Sequence, residues 1–240
     1  MPKFFVFSDP HSYYTALKKA LDEAGFEPKN KDHWVVVCGD CFDRGPESEE
    51  MLHFLMSLER KIIVKGNHDI LLEDCCIREY AYMHDASNGT KRTIQDIGGA
   101  IDFAECCCRT WDKLARYREL LVNYFETQNY IFVHSWIPIT SENKYDENWR
   151  DATDDRWEQA MWGNPFDMHM LDLNQTGKTI VFGHWHCSTG HKMLGHCKSE
   201  FGADAIWEPC YAEGIIGIDR CTAYTGECNV IVIEDEFLEE

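Results

Sequence analysis

Apolar residues along the chain form short continuous runs, separated by stretches with helical spacing. Five runs, Phe4–Phe7, Trp34–Cys38, Ile62–Val64, Tyr130–Val133 and Thr179–Phe182, are too short for buried helices and predict strands. Between the early runs, Tyr13–Ala24 places Leu17, Ala20, Leu21 and Ala24 on one face and stops at Gly25, which predicts a helix. Ser48–Leu58 predicts a second helix, with Ser48 as N-cap and Met51, Leu52, Leu55 and Met56 on its apolar face. Its capping box is incomplete, because Met51 stands where a Glu or Gln belongs. A third helix is expected from Asp69 to about Tyr80. Strands alternating with helices predict an α/β chain.

The later pattern is less regular. Residues 85–110 hold Gly89, Gly98, Gly99 and three consecutive cysteines without a clear period, whereas Lys113–Phe125 is helical by spacing. Residues 81–128 are therefore expected to form a mainly helical insertion. Residues 135–178 are polar, with Trp136, Trp149, Trp157 and Trp162 interspersed, and read either as the rim of a cleft or as a surface loop held down by its aromatics. After Phe182 the pattern predicts short strands around Ile206–Trp207, Ile215–Ile218, Ala223–Tyr224 and Val230–Ile233, joined as antiparallel hairpins by Gly-containing turns. The acidic tail Glu234–Glu240 is expected to be solvated or frayed. No repeat or linker interrupts the chain, so a single domain over 1–240 is expected.

Composition narrows the function. A 240-residue chain can bury roughly 70–75% of its unfolded surface as one domain. A net charge of −19 and a pI near 4.9 argue against nucleic acid and against a membrane surface as partners. The chain opens on Met1-Pro2-Lys3 and a strand rather than a leader, and no apolar run approaches a membrane span, so a cytoplasmic location is expected. The twelve cysteines are then expected to be reduced, and their adjacent or scattered spacing reads as buried thiols rather than a zinc site. Composition leaves the oligomeric state open.

The chemistry sits where the strands end. Asp9-Pro10-His11, Gly39-Asp40-Cys41-Phe42-Asp43-Arg44-Gly45, Gly66-Asn67-His68-Asp69, Val133-His134 and Gly183-His184-Trp185-His186 each close one apolar run. Taken singly, each motif has a plainer reading. Asp40 and Asp43 suit turns, Asn67 a helix start, and His134 a satisfied core histidine. Together, a fold that gathers these strand ends at one edge would bring carboxylate, amide and imidazole groups around metal ions.

The order and wording of the motifs resemble the calcineurin-like metallophosphoesterases, and most closely the short bacterial and phage form of the serine/threonine phosphoprotein phosphatases. The stretch Gly39–Ser48, then Gly66–Asp69, then Gly217-Ile218-Asp219 followed by Gly226 and an apolar strand carry the likeness, over about residues 3–235. It implies a four-layer α/β/β/α sandwich and two divalent metal ions, Mn²⁺ by preference or Fe or Zn²⁺, that activate a hydroxide. By motif, Asp9, His11 and Asp40 would hold the first metal. Asp40, Asn67, His134 and His184 would hold the second. His186 would join the first, because His184 and His186 share one side of an extended segment. His68 would be the general acid, Asp43 its orienting partner and Arg44 a phosphate fork.

The implied activity is phosphomonoester hydrolysis on a phosphorylated protein or a small phosphoester. The alternatives are a bis(nucleoside) polyphosphate hydrolase, a phosphodiesterase of the same superfamily and, from another class, a phosphate-binding scaffold. Three departures bear on this. Ser8 and Ser12 replace glycines. Ser135-Trp136 should make a bulkier pocket wall. Asn164, in Met161-Trp162-Gly163-Asn164, stands where a second phosphate-binding Arg is expected, a gap that Arg150 or Arg156 would have to fill.

Overall fold

The computed structural model describes residues 1–238. In chain order the elements are β1 (Lys3–Phe7), α1 (Tyr14–Glu23), β2 (His33–Cys38), α2 (Ser48–Ser57), β3 (Lys61–Val64), α3 (Asn67–Arg78), α4 (Met83–Asn88), α5 (Thr90–Gly98), α6 (Phe103–Lys113), α7 (Ala115–Arg118), β4 (Leu121–Val122), β5 (Phe125–Glu126) and β6 (Tyr130–Phe132). There follow a 3₁₀ turn at Trp149–Asp151, then α8 (Asp154–Met161), α9 (Pro165–Met170), β7 (Thr179–Phe182), α10 (Cys187–Met193), β8 (Cys210–Ala212), β9 (Ile215–Gly217), α11 (Thr222–Thr225) and β10 (Ile231–Glu234). They build two five-stranded sheets, ordered β10-β1-β2-β3-β4 and β5-β6-β7-β9-β8.

The apolar runs are continuous because both faces of each sheet are covered. On one face of the first sheet, Phe5, Phe7, Val35 and Val37 pack under α1, α2, α3, α5 and α6 with Leu17, Leu21, Met51, Leu55 and Ile94. Their neighbours Phe4, Val6, Val36 and Cys38 point the other way and meet Phe132, Val181 and Ile216 of the second sheet. Ile131, Ile180 and Phe182 then face outward onto Trp136, Trp149, Trp157 and Phe166. The result is the expected α/β/β/α sandwich. Among the described residues no helix is long and apolar enough to cross a membrane.

Several local expectations are corrected. Ser48 is the first residue of α2 rather than its cap, because its hydroxyl is used to reach Ser12 Oγ at 3.0 Å. The helical spacing over Lys113–Phe125 holds only to Arg118. Beyond it Leu121 and Val122 extend and pair with Ile63 and Val64, so the open edge of β3 overrides helix propensity. The insertion is accordingly helical from α4 to α7 and ends in strands. Ile206–Trp207 forms no strand, and Ala223–Tyr224 lies in α11. One antiparallel hairpin forms, β8–β9 across Glu213-Gly214, but β9 and β10 do not pair with each other, since β9 belongs to the second sheet and β10 pairs antiparallel with β1 in the first. The tail is packed as far as it is described. Asp235 accepts from Asn129 N and Nδ2 at 2.8 and 2.7 Å, and Phe237 sits 5.4 Å from Phe4 and 5.0 Å from Trp34. Residues 239–240 lie outside the described residues.

Candidate metal centre and catalytic site

All five motifs follow the ends of parallel strands, β1, β2 and β3 in one sheet and β6 and β7 in the other, and so converge on one edge of the sandwich. The loops turn sharply there. Asp9, His11, Asp40, Asp43, Arg44 and His184 all have positive φ, between 45° and 74°, a conformation uncommon for side chains with a Cβ. Gly183 is the counterpart, since a Cβ there would overlap the Asp9 carboxylate.

Two sets of ligand atoms each lie within 4.8 Å of one another, His11, Asp40 and His68 in one and Asp40, His134 and His184 in the other. Asp40 is common to both. The imidazoles are aimed by backbone carbonyls. His11 Nδ1 donates to Phe42 O at 2.8 Å and His134 Nδ1 donates to Cys38 O at 2.9 Å, which leaves each Nε2 with its lone pair facing the site. His134 Nε2 lies 2.8 Å from Asn67 Oδ1. Two acceptors directed into one space are relieved by a cation, so these residues fit a bound metal. Asp9 is buried with Oδ2 accepting from His184 N at 2.9 Å.

Electrostatics agree. Burial, then the charge of Asp40, pushes the Asp9 carboxyl up to about 8. Burial also works against the charge of Asp40, but His134, His68, His11 and His184 together hold its carboxyl below the usual range. Burial and the neighbouring His134 press His184 down to about 3, and burial with the Arg44 charge lowers His11. Neutral His11 and His184 beside an ionised Asp40 are the protonation states that metal ligands require, whereas the raised Asp9 carboxyl must give up its proton to ligate.

His68 differs. Burial opposes its charge, yet Asp40 and the hydrogen bond to Asp43 outweigh burial and raise its pKa. His68 Nδ1 donates to Asp43 Oδ2 at 2.7 Å, and Arg44 donates to His68 Nε2 at 3.3 Å. Asp43 is fully buried, and its other oxygen has no partner among the described residues. His186 is a member of neither of these two groups. Its Nδ1 faces Glu200 Oε1 at 3.2 Å, with Nε2 left open.

Sequence reasoning missed the groups that brace these residues. Thr90 Oγ1 donates to Asp43 Oδ2 at 2.6 Å, and Asp43 N donates to Thr93 Oγ1 at 3.0 Å. Both threonines lie on α5, so the helical insertion holds Asp43, and through it His68, in place. The available signal was two hydroxyls at i and i+3 on the face that carries Ile94 and Ile97. Asp69 accepts from Gly66 N at 2.8 Å and from Tyr117 OH at 2.9 Å, a helix-start role in line with its position. Buried Asp219 lies beside Asp9 and His186, and its carboxyl is raised to about 7 by burial and then by Asp9.

The departures resolve geometrically. Asn164 Oδ1 accepts from Phe166 N at 3.0 Å and caps α9. Arg150 is bound to both Glu126 oxygens at 2.8 and 2.6 Å, and Arg156 to Asp146 at 2.6 Å and Ile139 O at 2.9 Å, so neither replaces the missing Arg. Trp136 packs on Phe182 at 6.2 Å with 2% exposure and forms part of the wall of a neighbouring pocket with Ile137, Ile139, Gln159 and Gly163. The aromatic at the site is Trp162, which is half-exposed and edge-on to His184 at 6.3 Å.

A symmetrical bis(5'-nucleosyl)-tetraphosphatase of Pseudomonas fluorescens is 34% identical over 128 residues, covering 51% of this chain and 38% of that protein. Its namesake from Erwinia tasmaniensis is 30% identical over 134 residues, covering 55% and 44%. The chain thus spans less than half the length of either relative. Among solved structures, the cold-active protein tyrosine phosphatase of a psychrophilic Shewanella superposes with a TM-score of 0.58 at 15% identity, over 98% of this chain and 76% of that one. A structure provisionally named a diadenosine tetraphosphatase gives 0.52 at 16% identity, over 100% and 97%. These two likenesses concern the fold. The profile of the calcineurin-like phosphoesterases matches residues 2–211, and with its candidate ligands gathered at the strand ends the chain belongs to the calcineurin-like phosphoesterase family.

Proposed function

We propose that this protein hydrolyses a bis(5'-nucleosyl) polyphosphate, with a dinuclear metal centre at the strand ends. The observation that carries the reading is the identity of 30–34% to symmetrical tetraphosphatases over half the chain. It supports the small-substrate reading over the phosphoprotein phosphatase that the motif wording first suggests. The lack of a second Arg agrees, since Asn164 is occupied as a helix cap.

Asp9, His11 and Asp40 would hold one ion, and Asp40, Asn67, His134 and His184 the other. His186 would complete the first set through Nε2, with Glu200 on Nδ1 fixing the tautomer, as carboxylates do for metal-bound histidines. The mixture of carboxylate, amide and imidazole suits Mn²⁺, with Fe or Zn²⁺ as the other candidates. Such ions, when bound, neutralise phosphate charge and supply an activated water. Arg44, exposed at the rim, turns its fork from His68 to a phosphate oxygen. His68, freed at Nε2 and held by Asp43 at Nδ1, delivers the proton to the leaving oxygen.

The test is product analysis. Metal-loaded protein incubated with diadenosine tetraphosphate is expected to give two molecules of ADP by cleavage at the middle of the chain. A higher kcat/KM on phosphoserine peptides than on the tetraphosphate would return the reading to a protein phosphatase.

A further inference from the structure

Beside the metal-centre edge lies an aromatic cluster that the chemistry above does not use. Phe201, Trp207 and Tyr224 touch one another, with ring centroids 5.7 Å apart for Phe201–Trp207, 5.3 Å for Phe201–Tyr224 and 5.4 Å for Trp207–Tyr224. They are not core. Phe201 is 46% exposed and Tyr224 61% exposed. A contiguous patch of large exposed rings marks an interaction site more often than scattered apolar residues do. The segment that carries Phe201 and Trp207 has no regular secondary structure, so helix or strand packing does not account for the rings.

The cluster is tied to the site through His186. The His186 ring lies 5.7 Å from Phe201 and 6.1 Å from Trp207, and His186 follows His184 by two residues. The rings therefore border the loop that follows β7, the loop that carries His184. Glu200, Asp204 and Glu208 lie in the same segment as the two rings. Their charge disfavours a phosphate on the rings and favours the uncharged end of a nucleotide.

We propose that Phe201, Trp207 and Tyr224 form a stacking platform for one purine base of the substrate, placing its phosphate chain on Arg44 and the metal-ligand cluster. The proposal rests on the nucleotide reading above and deepens it. The rings are tilted by 40–79° to one another, so a purine would stack on the face of one and meet the edges of the others, both favourable aromatic geometries. Cleavage at the middle of a tetraphosphate requires a fixed distance from base to scissile bond, and a seated base supplies it.

The test separates base from phosphate. With the Mn²⁺-loaded protein, calorimetry compares ADP with inorganic pyrophosphate, and kinetics compare diadenosine tetraphosphate with inorganic tetraphosphate. ADP is expected to bind more tightly than pyrophosphate. Tyr224→Ala and Phe201→Ala are each expected to reduce that advantage by about 10-fold. They should lower kcat/KM for the dinucleotide by a similar factor relative to the inorganic chain, and Tyr224→Phe should restore both. Equal affinity for ADP and pyrophosphate, an unchanged ratio in the variants, or parallel losses on both ligands would overturn the platform. So would competition for the rings by an aromatic peptide that ADP does not displace. If the wild type cleaves no dinucleotide but the ADP advantage exists and vanishes in Tyr224→Ala, the substrate reading fails while the platform stands.

Discussion

Asp43→Asn isolates the partner of the proposed acid. Asp43 Oδ2 accepts from His68 Nδ1 at 2.7 Å and from Thr90 Oγ1 at 2.6 Å, and both residues are buried. The amide oxygen of Asn can still take both hydrogen bonds, so geometry should survive while the charge is lost. A hydrogen bond to a charged group contributes about 1.5–3 kcal/mol and a neutral one about 0.5–1.5, a difference of about 1–1.5 kcal/mol. At 1.36 kcal/mol per pH unit, the His68 pKa should fall by about one unit. The sign is fixed by the role. The acid must carry its proton, so activity declines as pH rises through the His68 pKa, which Asp40 and Asp43 hold above its ordinary value against the opposing effect of burial. The variant's alkaline limb should therefore move about one unit lower. The assay is kcat/KM against pH on a series of phosphoesters, with metal content measured in parallel. At the wild-type optimum, loss should be about 10-fold on alkyl leaving groups and small on p-nitrophenyl. An unmoved alkaline limb with equal loss on every leaving group and full metal content would refute the acid role of His68.

Asp40→Asn should lose both metals together, because its carboxylate is common to both ligand sets; mass spectrometry under native conditions reads the stoichiometry, and retention of both ions would count against the shared ligand. Exhaustive chelation should abolish hydrolysis and Mn²⁺ should restore it; activity that survives verified metal removal would exclude the dinuclear reading. Gly89→Ala should destabilise by more than about 1 kcal/mol, because φ there is +91° and the new Cβ would overlap Arg44 backbone; an unchanged denaturation midpoint would contradict this. Asn164→Ala should cost about 1 kcal/mol through loss of the α9 cap and leave substrate KM unchanged, whereas a raised KM would show that Asn164 touches phosphate after all.

The strands that carry the ligands were legible because each is a short, doubly buried run ending in a polar motif, and burial on both faces leaves little choice of structure. Asp40, His134 and His184 converge as the motif order implies. What escaped was long-range. Leu121 and Val122 have helical spacing, and only the unpaired edge of β3, whose Ile63 and Val64 lie far earlier in the chain, makes them strand. Asn164 and Ser48 have ordinary capping chemistry; Asn164 caps locally on Phe166 N, but Ser48 is drawn away by Ser12, 36 residues earlier in the chain. Thr90 and Thr93 lie in a stretch without a readable period, so their contact with Asp43, 47 and 50 residues away, had no local signature beyond two hydroxyls on an apolar face.

The left-handed backbone of the ligand loops has a consequence for how the protein can change. Asp9, His11, Asp40, Asp43, Arg44 and His184 each hold a conformation that glycine would adopt at lower cost. Backbone strain of this kind costs of order 1 kcal/mol or more per residue, so the six together rival the whole stability margin of an ordinary domain. A selection for thermal resistance alone would favour glycine at these positions and would dismantle the centre residue by residue. Selection for turnover must oppose it at the same six places. Libraries built from this chain should therefore divide into two populations with little between them: robust, silent proteins that have relaxed these loops, and active ones that have kept them.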